Sequence, residues 1–180
     1  MKLRHLTGIP IAVLALLVGA CGDKEAQRLS ELQAKCSSRD ENYNEENVRG
    51  CTAFLAEPSL APPVRAMTLN IRGNTYDALG KHDLAIADYK KVTDLLPDFA
   101  AAYANLALQY CRKADFKTAL DFYDQALKVN PKSSYAMYGR GVALSRLGQR
   151  DAAREQLSAA NAADPEMAGV YRQIKLEPAP

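Results

Sequence analysis

The sequence predicts an all-α chain of antiparallel helix pairs stacked as an α-solenoid, and three observations carry that prediction. Prolines recur at Pro97, Pro131 and Pro165, each 34 residues after the last. Set at position 32 of a unit, they define repeats 66–99, 100–133 and 134–167. Bulky residues then recur at position 4 (Leu69, Tyr103, Met137), position 11 (Tyr76, Tyr110, Leu144) and position 24 (Tyr89, Tyr123, Leu157). Smaller ones recur at position 8 (Gly73, Ala107, Gly141), position 20 (Ala85, Ala119, Ala153) and position 27 (Val92, Ala126, Ala160). A fixed period of this length marks a repeat array, in which each unit buries its apolar face only against its neighbours.

Residues 1–20 precede any repeat and read as an export leader. Lys2, Arg4 and His5 form a cationic start, and Leu6 to Ala20 is apolar apart from Thr7, Gly8 and Pro10, a stretch too short to cross a bilayer comfortably. The junction Leu17-Val18-Gly19-Ala20-Cys21-Gly22 resembles a bacterial lipobox, with Val18 where Leu is usual. That resemblance implies that Cys21 is acylated, which would hold the chain on a membrane. Gly22 in place of the Asp of inner-membrane retention favours the outer membrane. The same residues also fit an ordinary leader cut after Ala20.

Residues 21–25 are then a tether, and 26–63 a degenerate helical hairpin. Its apolar stretches Ala26-Leu29-Leu32-Cys36 and Val48-Cys51-Phe54-Leu55 flank the polar turn 37–42, and Glu45 and Glu46 suit a first helical turn. In an oxidising compartment two helices folded back there would pair Cys36 with Cys51; the alternative is two unpaired buried thiols. Pro58 and Pro62-Pro63 separate this hairpin from the array. Within the array, Gly80 and Gly148 mark turns that need a positive φ, while Asn130 and Asp164 suit N-caps of the helices that follow. Cys111 is expected as a semi-buried thiol. Residues 166–175 are a capping helix carrying Val170, Tyr171 and Ile174, and 176–180 a tail.

The pattern of large, small, large and then Ala, aromatic, small resembles the tetratricopeptide repeat (TPR), with Arg72 and Arg140 at position 7 where Leu is usual. That resemblance implies a TPR α-solenoid whose first helices line a concave groove for an extended peptide or a partner helix. Carried onto this sequence, the groove set is Asn70 and Asn74, then Asn105, Leu108 and Arg112, then Tyr135, Tyr138 and Val142. The asparagines read equally well as plain helix-surface polarity. Asn74 and Asn105 match the carboxylate clamp of chaperone-binding TPRs, but Asn70, Tyr135 and Gly139 stand where its cations belong. Capture of a C-terminal carboxylate by that clamp is therefore not expected.

Other chemistry finds little support. Removing Lys2 and Arg4 with the leader leaves 21 basic and 21 acidic residues, with no basic run to attract nucleic acid. His82 is the single histidine beyond the leader and reads as a solvated turn residue, so a nucleophilic triad has nothing to build on. Asp88, Asp121 and Asp124 read as solvated charges, and no cysteine spacing suits zinc. The expectation is a protein without catalysis, cofactor or metal that binds a protein or peptide ligand. The stretch 134–144 resembles outer-membrane TPR lipoproteins that tether envelope enzymes, which implies a lipid-anchored adaptor facing the periplasm, of unspecified oligomeric state. The alternative is a structural subunit of an envelope complex, pilotin-like or part of outer-membrane assembly.

Overall fold

A computed structural model describes residues 23–37, 43–173 and Pro178, so the leader, Cys21, Ile174 and the tail other than Pro178 lie outside the described residues. The described chain is helical, with no strand: α1 Asp23–Cys36, α2 Glu45–Leu55, α3 Pro62–Ala78, α4 His82–Leu95, α5 Ala100–Arg112, α6 Phe116–Val129, α7 Ser134–Arg146, α8 Arg150–Ala163 and α9 Met167–Gln173. They fall into two compact units, Met1–Lys81 and His82–Pro180. The 66–99 repeat contributes α3 to the first and α4 to the second.

In the first unit α1 and α2 form a hairpin closed by a Cys36–Cys51 disulfide, with both residues buried. Gly50 makes that closure possible. A Cβ there would lie 2.6 Å from the Lys35 carbonyl carbon and 2.8 Å from the Cys36 nitrogen, a backbone contact that cannot yield. Asn44 caps α2, accepting from the Glu46 and Asn47 amides, while the Asn47 side chain accepts from the Asn44 amide at 3.0 Å, a reciprocal capping box. Asn47 also donates to the Lys35 carbonyl at 3.2 Å, which occupies one of the orphan acceptors at the end of α1. Leu29, Phe54 and Val64 form the small core.

Pro62 and Pro63 form the first turn of α3. A helix needs no amide donor there, so two prolines start it without cost. The Arg65 guanidinium donates to the carbonyls of Leu55 and Glu57 at 2.7 and 2.8 Å, closing the end of α2. Arg72 donates to Thr52 Oγ1 at 2.9 Å, and in the second unit Arg140 pairs with Asp124 at 2.6 Å. At position 7 these two repeats thus replace an apolar contact by a reach to a polar group on another helix.

In the second unit α5/α6 and α7/α8 are the tightest hairpins, α4 packs on α5, and α6 packs on α7. First helices α5 and α7 also touch, as do α7 and α9, whereas no comparable contact joins α4 to α6 or α6 to α8. This stack therefore closes on its first-helix side and opens on its second-helix side. Ala107, Ala119 and Ala126 are fully buried at the seams, with Tyr123 filling the space between hairpins.

The turns follow the period in two ways. Helices α4, α6 and α8 stop two residues before each recurrent proline, because the residue preceding proline is pushed out of the α region. Asn130 and Asp164 sit there with extended φ of −132° and −153°, as C-caps rather than the expected N-caps. Their side chains accept from the amides of Lys132 and Glu166 at 3.1 and 3.0 Å, folding an Asx turn around the proline. Ser133, not Asn130, caps α7. Between the two helices of a repeat, φ is +71° at Gly80 and +78° at Gly148, and the residue in register between them, Ala114, holds +59°.

Tyr171 lies 34 residues beyond Met137, so α9 stands in the register of the first helix of a fourth repeat. The face that a further hairpin would cover changes character. Phe116, Leu120 and Leu127 pack into the core from α6, whereas Arg150, Arg154 and Asn161 occupy the matching places on α8. A polar outer face is what ends a repeat array in water.

Two stability outcomes follow from this geometry. Holding an L-residue in the left-handed region costs about 1–2 kcal/mol, and glycine gives back about 0.5–1 of that in entropy. Ala114→Gly should therefore stabilise the chain by about 0.5–1 kcal/mol, and Gly148→Ala should cost a similar amount, both read by urea denaturation. Replacing Cys36 and Cys51 together by Ser should cost about 3 kcal/mol in the same assay.

Candidate functional site

The residues assigned to a groove do not share one environment. Asn70 and Asn74 lie half-buried on α3 in the first unit. In the second, Asn105 and Arg112 lie half-buried on α5 two turns apart, and hence on one face, while Leu108 between them is 5% exposed. On α7, Tyr135 is half-buried, Tyr138 is 6% exposed and Val142 is fully covered.

The covered tyrosine belongs to α9 rather than to an open wall. Tyr171 enters from that helix, its ring 4.8 Å from Tyr138 and 5.4 Å from Tyr135. Its hydroxyl donates to the Tyr135 carbonyl at 3.0 Å and lies 3.2 Å from the Tyr123 hydroxyl. Gly139 is part of the same fit, because a Cβ there would run into the Tyr123 ring and both hydroxyls. Burial and the neighbouring hydroxyls push Tyr123 and Tyr171 well above the usual phenol range, so both stay neutral. Leu108, Tyr138 and Val142 all belong to the buried core of the second unit. Sequence reasoning placed Tyr171 on the capping helix but missed its contact with Tyr138 and Tyr135, for which its 34-residue distance from Met137 was the available signal.

Cys111 is more buried than expected, at 2% exposure, and that burial pushes its thiol up to about 11 despite the Tyr123 hydroxyl and the nearby Arg146 charge. His82 is not a free turn residue. It is the first residue of α4, half-buried, with Nδ1 2.9 Å from Oε1 of fully buried Gln109. Asp88 is likewise buried, because it shares a helical stripe with Ala85, Tyr89 and Val92; Asp121 and Asp124 are exposed as expected. Among the described residues, no three or more His, Cys, Asp or Glu gather where they could hold a metal.

The surface that remains on the first-helix side of the second unit is carried by Ala101, Asn105 and Arg112 from α5 with Tyr135 and Arg146 from α7. Arg146 holds its guanidinium 5.0 Å from the centre of the Phe116 ring. Such a surface offers amide and guanidinium donors on a rigid helical floor, suited to accepting groups of a bound chain.

Family models described as tetratricopeptide repeat match residues 66–99 and 112–174, together more than half of the 180 residues. The chain carries tetratricopeptide repeats. Solved TPR structures agree with that fold. MamA protein is 17% identical, with a TM-score of 0.67 over 94% of this chain and 87% of that one. The first TPR domain of human RPAP3 is 28% identical, with a TM-score of 0.57 over 64% and 92%. The first TPR of Spaghetti (RPAP3), solved bound to the HSP90 peptide SRMEEVD, is also 28% identical, with a TM-score of 0.55 over 61% and 90%.

Both packing assignments are open to measurement. Tyr171→Phe removes a hydroxyl that serves two partners and should cost about 1–2 kcal/mol in thermal denaturation, with helicity retained. Cys111 should resist iodoacetamide at pH 8 in the folded protein and be alkylated in guanidinium, as read by mass spectrometry.

Proposed function

We propose that the protein is a non-enzymatic adaptor that binds a protein or peptide partner on the first-helix face of its TPRs. It is anchored by an acylated Cys21 in the bacterial envelope, most naturally on the outer membrane facing the periplasm. The observation that carries the binding role is the partly exposed α5/α7 face, where Asn105 and Arg112 stand one above the other. That the RPAP3 repeat was solved with a peptide bound supports the reading. Here the floor is rigid before any partner arrives, because the helices that present these side chains are fixed by the hairpin seams behind them.

Support for export is separate and comes from two directions. The leader-like residues 1–20 end at a lipobox-like cysteine. Independently, the Cys36–Cys51 disulfide is fully inside the first unit, and such bonds form and persist in oxidising compartments.

A photo-crosslinking residue placed at Ala101, which is exposed, should capture one partner in cells, and the same residue at exposed Asp121 on α6 should not. Asn105→Ala should weaken that partner's binding by about threefold to tenfold with unchanged helicity, as expected for a lost hydrogen bond. Capture from α6 but not α5 would refute the face. Intact-mass measurement of the N-terminus should show a lipidated Cys21 as the first residue; an unmodified Cys21 would refute the anchor.

A further inference from the structure

We infer that the partner segment taken up on the α5/α7 face is acidic, and that Arg146, stacked on Phe116, is the residue that receives its carboxylate. This inference rests on the adaptor reading above and names its ligand class.

The charge distribution of the second unit carries it. On the first-helix side, α5 and α7 present Ala101, Asn105, Arg112, Tyr135 and Arg146 at least partly exposed, and neither helix contains an Asp or Glu. Three other cations of the unit face acids: Lys113 pairs with Asp83 at 2.8 Å, Arg140 with Asp124 at 2.6 Å, and Arg154 with Asp151 at 3.7 Å. Asp115, close in the chain to the Phe116 ring, has its carboxylate turned to the Thr118 amide as the cap of α6. Arg146 instead lies over an aromatic face and is exposed. A guanidinium stacked this way loses little further freedom on binding and keeps its donor edge open to a planar carboxylate.

Geometry adds a spacing. Arg112 and Arg146 end adjacent helices at the same position of successive repeats, and packed helices lie about 8–10 Å apart. An extended chain rises about 3.3 Å per residue, so a segment crossing from one helix to the next covers that distance in about three residues. This differs from the carboxylate clamp, whose cations are missing here at Asn70, Tyr135 and Gly139. Side-chain carboxylates anywhere along a segment would serve, with no requirement for a chain end.

The test uses a displayed library of random heptapeptides selected on the mature protein. Enriched sequences should carry Glu or Asp. For the best peptide, replacing its acidic residues by Gln should weaken binding roughly tenfold or more, as for a lost charge-assisted contact. Arg146→Gln should weaken the acidic peptide comparably and abolish the difference between the two peptides, with circular dichroism unchanged. Binding should also fall with added salt. Enrichment of neutral peptides, or a preference for acid that survives Arg146→Gln, overturns the inference. If Asn105→Ala weakens binding while Arg146→Gln does not, the docking face stands and this inference fails. If Arg146→Gln alone matters, the acid site stands and the wider face fails. Selection of no peptide defeats both.

Discussion

Two helices can close into the hairpins of this protein only where the seam between them carries nothing larger than a methyl group, and most of the structure follows from that restriction. Ala107 and Ala119 meet it in the middle repeat, where both are fully buried. In the last repeat the margin is narrower. A Cβ on Gly141 would stand 2.7 Å from Leu157 Cγ, and one on Gly139 would collide with Tyr123 and Tyr171. Small residues at the seam bring the backbones close, and the large ones at positions 4 and 24 then fill the wedge between one hairpin and the next. The first unit solves the same problem differently. Gly50 permits contact of α2 with the backbone of α1, and the disulfide beside it supplies the cohesion that a core of Leu29, Phe54 and Val64 alone would leave small.

Once the seams are fixed, the rest of each repeat is a matter of direction. The chain reverses within a repeat through a left-handed residue and leaves it through a proline turn, so both connections are short and neither has freedom to change register. First helices then lie side by side while second helices stand apart. The side chains on the first-helix side are therefore presented by elements held from behind. That is the arrangement a docking face needs, since ordering entropy has already been spent in folding. The disulfide and the leader-like N-terminus belong to a different question, that of where the protein works, and they bear on it without reference to the groove.

How much of this was legible in the residues depends on whether a feature was local or relational. The recurrent prolines, Gly80, Gly148 and the alanine positions speak for themselves, because backbone sterics and side-chain volume act within one turn or one seam. Cys36 and Cys51 were placed by flanking apolar spacing for the same reason. Ala114 was hidden because its side chain is ordinary and only its place in the period betrays the strained φ. Asn130 and Asp164 were assigned to the wrong helix end. An Asn or Asp before proline serves either an N-cap or an Asx turn, and the extended backbone that proline imposes selects the turn. Tyr138 and Val142 illustrate the relational kind. Position within a repeat assigned them to an open wall, but exposure depends on what packs next, and α9 brings Tyr171 onto that surface. Asn105 and Arg112 escape this fate because their partly exposed face lies away from the hairpin seam.

The most direct measurement is a residue-by-residue amide and side-chain NMR map of residues 23–180 as the crosslinked partner, or the best selected peptide, is added. The largest perturbations should fall at Ala101, Asn105, Arg112 and Arg146, with α6 and α8 left nearly unmoved. Perturbations centred on α6 and α8, with the α5/α7 face silent, would contradict it.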